Sequence, residues 1–129
     1  MRIPGAILKS WFFFKITGFF FTHAAFLVPG ERLEVTDNWL AVRHPDPSYP
    51  VHILLIPKKP IPDWLCFTVN EKELFAEFVR ISQRLIRDEG MESNGYRLII
   101  NGGEYQSIPQ LHIHLVSGDP LADKQGVKS

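Results

Sequence analysis

The chain has 129 residues, 45% of them hydrophobic, and its 14 basic residues balance its 14 acidic ones. This length and apolar content support one domain with a hydrophobic core, while the charge balance argues against nucleic acid or an anionic membrane as partner. The single cysteine, Cys66, excludes an internal disulfide and a multi-cysteine zinc site and fits a reducing, cytoplasmic setting.

The first distinctive stretch is WFFFKITGFFFTHAAFLVP, Trp11 to Pro29, with seven phenylalanines and one charge, Lys15. It reads three ways. Arg2 and Lys9 could open a signal peptide that ends at Thr22-His23-Ala24. The run is also near the minimum length for a membrane span, so association through Trp11–Val28 is a second reading. The third, favoured because Lys15, Thr17, Gly18, Thr22 and His23 interrupt the run, is a helix covering the core before a turn at Pro29-Gly30.

From Glu31 to Arg43 the pattern predicts a hairpin. Leu33 and Val35 alternate with polar residues, Asp37-Asn38 turns the chain, and Trp39 to Val42 returns. HPDPSYP, His44 to Pro50, has three prolines in seven residues and must be a loop. VHILLIP, Val51 to Pro57, is a buried strand carrying one histidine. KKPIPDW connects it to a helix starting near Asn70, capped by Asn70 or Thr68 with Glu73 or Glu71 three residues on. Leu74, Phe78, Ile81 and Leu85 make the apolar face of that helix, and Gly90 stops it. Cys66, just before it, reads as a small buried hydrophobe. Lys58 and Lys59 read as a solvated edge.

Tyr96 to Asn101 is another strand, and Asn101-Gly102-Gly103 turns the chain. QLHIHLVSG follows, Gln110 to Gly118. As a strand it sends Leu111, Ile113 and Leu115 to one face and Gln110, His112 and His114 to the other, with alternate side chains roughly 6–7 Å apart. Helix, hairpin, strand, helix and two strands describe an α+β fold built on a mainly antiparallel sheet.

A His-x-His pair has several uses. It can be satisfied structurally, or it can be half of a metal site completed by His52 and a carboxylate. The chain lacks the many short strands of a cupin, however, and no acid stands near the pair at a regular spacing. Imidazole also titrates near neutrality and can attack phosphorus or transfer protons. Upstream, the Asn101–Pro109 segment is rich in amide, hydroxyl and glycine. Its backbone can approach a ligand closely, and Gln106 and Ser107 can donate to phosphate oxygens.

Taken with HILLIPKKPI (His52 to Ile61) and IINGGEYQS (Ile99 to Ser107), the QLHIHLVSG stretch resembles the histidine triad (HIT) superfamily, specifically its nucleotide-binding proteins. The family signature is His-φ-His-φ-His-φ-φ, with φ apolar, and here Gln110 replaces the first histidine. The resemblance implies a five-stranded antiparallel HIT-like domain over residues 14–118, with residues 1–13 as an extension and 119–129 as a loose tail. It places Phe14–Val28 in a first helix and implies a homodimer with sheets joined across a two-fold axis. The implied activity is a nucleotide hydrolase or nucleotidyltransferase acting on nucleoside phosphoramidates or dinucleoside polyphosphates, with no metal and no cofactor.

By the same resemblance His112 attacks the α-phosphorus and forms a nucleotidyl-histidine. His114 supports phosphate oxygens, Ser107 contacts phosphate or leaving group, and Gln106 is its neighbour. Asn101 lies near ribose and phosphate, and His52 sits behind the triad and orients it. His44 falls where relatives carry an acidic ribose contact, and Asp46 is the candidate substitute. Pro60 stands where relatives often carry a histidine. Gln110 can exchange hydrogen bonds but cannot carry a proton at neutral pH. A non-catalytic nucleotide binder or scaffold of the same fold is the competing reading.

Overall fold

The structure is a computed structural model and describes residues 29–106 and 108–122. The phenylalanine-rich segment to Val28, Ser107 and most of the polar tail lie outside them.

Among the described residues five strands form one sheet. They are β1 (Arg32–Val35), β2 (Trp39–Arg43), β3 (Val51–Pro57), β4 (Arg97–Ile100) and β5 (Ile113–Ser117). Their order is β1-β2-β3-β5-β4 and every neighbouring pair is antiparallel. The β1–β2 hairpin closes through Thr36, whose hydroxyl accepts the backbone N–H of Trp39 at 2.9 Å and of Asn38 at 3.2 Å. This side chain satisfies turn amides that the ladder leaves unpaired.

Helix α1 (Lys72–Asp88) packs on one face of the sheet, followed by the single turn α2 (Met91–Asn94). The expected stripe of Leu74, Phe78, Ile81 and Leu85 is buried. It meets Trp39, Ala41, Ile53, Leu55, Ile113 and Leu115 in the core, as alternation along each strand requires. Trp39 ties the layers together. Its ring lies 5.3 Å from that of Phe78, and its indole N–H donates to the Leu74 carbonyl at 2.9 Å. A fully buried indole N–H needs such a partner.

Three expectations are corrected. The helix begins at Lys72, after a 3-10 turn over Val69–Glu71, and neither Thr68 nor Glu71 makes a side-chain cap. The expected capping box is therefore absent, because the tight turn already engages the first amides, with Glu71 N–H donating to Thr68 O at 2.9 Å. Cys66 is exposed, not buried. Asp63 caps a second 3-10 turn, Trp64–Cys66, by accepting the Cys66 N–H at 3.1 Å, and this carries the segment out of the core. A hydrogen bond to the Asp63 carboxylate raises the thiol pKa above its ordinary value. Finally, β5 begins at Ile113, so Gln110, Leu111 and His112 precede the ladder. Leu111 N–H donates instead to the Ile61 carbonyl at 2.7 Å, tying this segment to the connection after β3.

Gly90 ends α1 as expected, with a left-handed φ of 69°. Among the described residues no helix is long and apolar enough to cross a membrane.

Candidate active site

β5 lies between β3 and β4, so its side chains have neighbours on both sides. His114 is opposite Leu54 on β3 and Ile99 on β4, and His52 is opposite Val116. Successive residues alternate faces, so His52 and His114 share the face turned away from α1. That face also carries Leu40, Val42, Leu54, Ile56 and Val116. All five are buried, as are Gln110, His112 and His114. The polar row inferred from QLHIHLVSG is thus enclosed and not an open surface.

Hydrogen bonds fix the tautomers in this cluster. Ser48 N–H donates to His52 Nδ1 at 2.9 Å, and a backbone amide can only donate. The proton of a neutral His52 is therefore on Nε2. That atom lies 2.9 Å from His114 Nδ1, so His52 donates and His114 accepts. His114 must then carry its own proton on Nε2. Among the described residues this buried Nε2 has no hydrogen-bond partner. An enclosed donor without an acceptor is costly. Burial, with the neighbouring His112, His52 and His44, pushes the His114 pKa far below its ordinary value, so the ring is neutral.

His112 is fixed in the other tautomer. Its Nδ1 lies 2.7 Å from the backbone carbonyl of Gln110. A carbonyl only accepts, so Nδ1 bears the proton and Nε2 keeps a lone pair. Burial lowers the His112 pKa, and the Gln110 carbonyl opposes that shift without reversing it. The His112 and His114 rings meet edge to face, 5.0 Å apart and inclined by 67°. Side by side, the pair presents a lone pair on His112 Nε2 and an N–H on His114 Nε2.

The fold adds a residue to which the sequence assigned no chemistry. His44 lies with its ring centroid 4.4 Å from that of His52 and 6.3 Å from that of His114. Its Nδ1 accepts the Asp46 N–H at 3.0 Å. Asp46 thus meets the cluster through its main chain. The available signal was the HPDPSYP loop, which begins on His44 and ends one residue before Val51-His52.

The remaining candidates flank this cluster. Asn101 follows β4 one residue past the Ile100–Ile113 pair, at the end of the sheet where His112 enters β5. Gln106 uses both amide hydrogens within the loop, donating to Pro62 O at 2.8 Å and Ile108 O at 2.9 Å. It ties its own segment to the connection after β3, so the Gln106 amide hydrogens expected to face phosphate are already engaged. The Gln110 side chain is buried and its amide reaches the Leu111 carbonyl at 3.4 Å. No group of three His, Cys, Asp or Glu among the described residues is arranged to hold a metal ion.

Fold and site together define a class. It is an α+β protein in which an antiparallel sheet encloses a cluster of imidazoles on and beside two interior strands. Residues 28–121 match the HIT domain family, and the chain belongs to that family. It is 40% identical over 97 residues to a HIT-like protein of Chlamydia pneumoniae, covering 74% of this chain and 87% of that one. It is 29% identical over 96 residues to the purine nucleoside phosphoramidase of Escherichia coli, covering 73% of this chain and 81% of that enzyme. The crystal structure of a HIT family hydrolase from Legionella pneumophila superposes with a TM-score of 0.69 at 31% identity, covering 83% of this chain and 97% of that one.

Proposed function

We propose that the protein is a nucleotide hydrolase or nucleotidyltransferase that acts at the α-phosphorus of nucleoside phosphoramidates or dinucleoside polyphosphates. The observation that carries this reading is the tautomer of His112. Its Nδ1–H is held by the Gln110 carbonyl, which leaves Nε2 as the nucleophilic atom. A neutral imidazole on a rigid segment needs no deprotonation before attack. The phosphoramidase activity of the Escherichia coli relative favours the same chemistry.

In this scheme the substrate's α-phosphorus sits before His112 Nε2. The Nε2–P bond forms as the P–N or P–O bond to the leaving group breaks, and a leaving amine takes its proton from water. His114 Nε2–H donates to a phosphoryl oxygen as charge develops there, in an enclosed site where such a bond is strong. Ser107 and Asn101 are the proposed further contacts to the phosphate and ribose end. Water, or another acceptor, then attacks phosphorus and releases His112.

The same reading includes a homodimer. Among the described residues β4 is an edge strand, and its neighbourhood exposes Tyr96 and Leu98, at 50% and 42%. A bare apolar sheet edge is a ready pairing surface.

The decisive experiment is turnover of a panel of nucleoside phosphoramidates and dinucleoside polyphosphates, with intact mass after an acid-free quench. A nucleotidyl adduct on His112 is the expected result. Tight nucleotide binding with no turnover across the panel would instead identify a non-catalytic binder.

A further inference from the structure

The loop from His44 to Pro50 contains alternating prolines at 45 and 47. Proline has no N–H, so between residues 45 and 48 only Asp46 and Ser48 can donate from the main chain. Both amides end on imidazoles, Asp46 on His44 Nδ1 at 3.0 Å and Ser48 on His52 Nδ1 at 2.9 Å. One short loop therefore holds two rings in the same tautomer and lays one over the other, 4.4 Å apart and inclined by 34°. His114 lies beyond, inclined by only 20° to His44. Tyr49 closes the other side of His52 edge-on, at 5.7 Å.

We propose that His44 is a positioning residue that acts through His52: packed against that ring at a tilt, it keeps the His52 Nε2–H aimed at His114 Nδ1, so that His114 presents its own Nε2–H to the substrate. The inference rests on the reading of His114 as a donor to a phosphoryl oxygen. The Ser48 amide holds His52 at Nδ1 and the His114 ring holds it at Nε2. Neither bond by itself sets the tilt of the ring about the line joining them. The flat His44 ring, with its centroid 4.4 Å away, constrains that tilt.

The charge environment gives the stack a second effect. Among the described residues, the titratable groups facing His44 include His52 from β3 and His114 from β5, with Asp46 two residues along its own loop. Arg43, next along the chain, is paired with Glu31 and Glu89. A carboxylate in the His44 position would favour protonation of the neighbouring His52–His114 pair. A protonated pair would carry a hydrogen on both nitrogens of His114 or of His52 and break the donor order described above.

The test uses the full chain with His44→Phe, His44→Ala and His44→Asp. One readout is nitrogen-15 NMR of the imidazoles, which reports tautomer and protonation without reference to activity. The other is steady-state turnover of adenosine 5′-phosphoramidate. His44→Phe, which keeps a flat ring, should preserve the His114 Nε2–H tautomer and hold kcat within about threefold. His44→Ala should mix the tautomers and lower kcat by about tenfold or more with KM little changed, as misplacement of a donor predicts. His44→Asp should raise the titration of the His52–His114 pair by about one pH unit or more and move the acid limb of the pH–rate profile with it.

Retention of both kcat and the His114 tautomer in His44→Ala would overturn the proposal. A rise in KM alone would also overturn it, since that marks a direct substrate contact. Should the alanine variant not fold, the contrast between phenylalanine and aspartate decides. If the wild-type chain turns over no phosphoramidate, the functional reading fails while the NMR comparison still decides the role of His44.

Discussion

The backbone carbonyl of Gln110 receives the Nδ1–H of His112 at 2.7 Å, so residue 110 orients His112 through its main chain. Any side chain at position 110 leaves that carbonyl in place. Under the proposed function, orientation of His112 is thereby separate from whatever the Gln110 side chain supplies.

It follows that Gln110→Ala should lower kcat only modestly, within about tenfold, because the orienting bond survives. Gln110→His should match or exceed wild-type turnover. Steady-state kinetics on adenosine 5′-phosphoramidate measure both. A loss of several orders of magnitude in Gln110→Ala would mean that the side chain itself takes part.

His112→Asn keeps hydrogen bonding and similar bulk but removes the nucleophilic nitrogen. Turnover should fall by roughly three orders of magnitude or more, as expected when covalent catalysis is lost. Nucleotide affinity by calorimetry should stay within about tenfold of wild type, because the other contacts remain. Wild-type turnover in this variant would show that another atom attacks phosphorus.

Stability should depend on pH through the buried histidines. His112 and His114 have pKa values below the ordinary 6.5 in the folded chain. Below about pH 6.5 the unfolded chain therefore binds protons that the folded chain does not, and folding stability falls as pH drops. Each such group contributes up to about 1.4 kcal/mol per pH unit in that range. Urea midpoints should be flat above about pH 7.5 and decline toward pH 5. Replacing both histidines with asparagine should flatten that decline. An unchanged slope would place the dependence elsewhere.

Gly30 has a φ of 116°, and a Cβ there would overlap the Arg43 carbonyl oxygen and lie 2.9 Å from Val42 Cγ2. Both obstacles belong to the end of β2 that leads into His44. Gly30→Ala should cost about 1–3 kcal/mol and lower the Tm by several degrees. Gly90→Ala has open space around its Cβ and strain only from a φ of 69°. It should be the milder of the two in thermal melts.

If the β4 edge forms the dimer, Leu98→Lys should shift sedimentation from dimer to monomer at micromolar concentration. The edge charge would be brought against its own symmetry copy. Fold and thermal melt should otherwise be kept, since Leu98 is 42% exposed. A wild-type chain that sediments as a monomer would remove the dimer from the proposed function.

The chain alone determined the elements whose signal is periodic. Apolar spacing in Leu74, Phe78, Ile81 and Leu85 set the buried face of α1. Alternation in VHILLIP and LHIHL set which residues line the core and which turn away from it, because a strand sends successive side chains to opposite faces. The proximity of His112 and His114 was legible for the same reason. Only the tertiary structure decided the burial of that row and the exposure of Cys66, since both depend on what packs alongside and not on local pattern. It alone brought His44 onto His52, because ring stacking across a proline loop has no periodicity to read. It also decided the tautomers, which follow from single hydrogen bonds to Ser48, Asp46 and Gln110 main-chain atoms. Every residue's main chain offers such groups, so nothing in the sequence distinguishes the ones that are used.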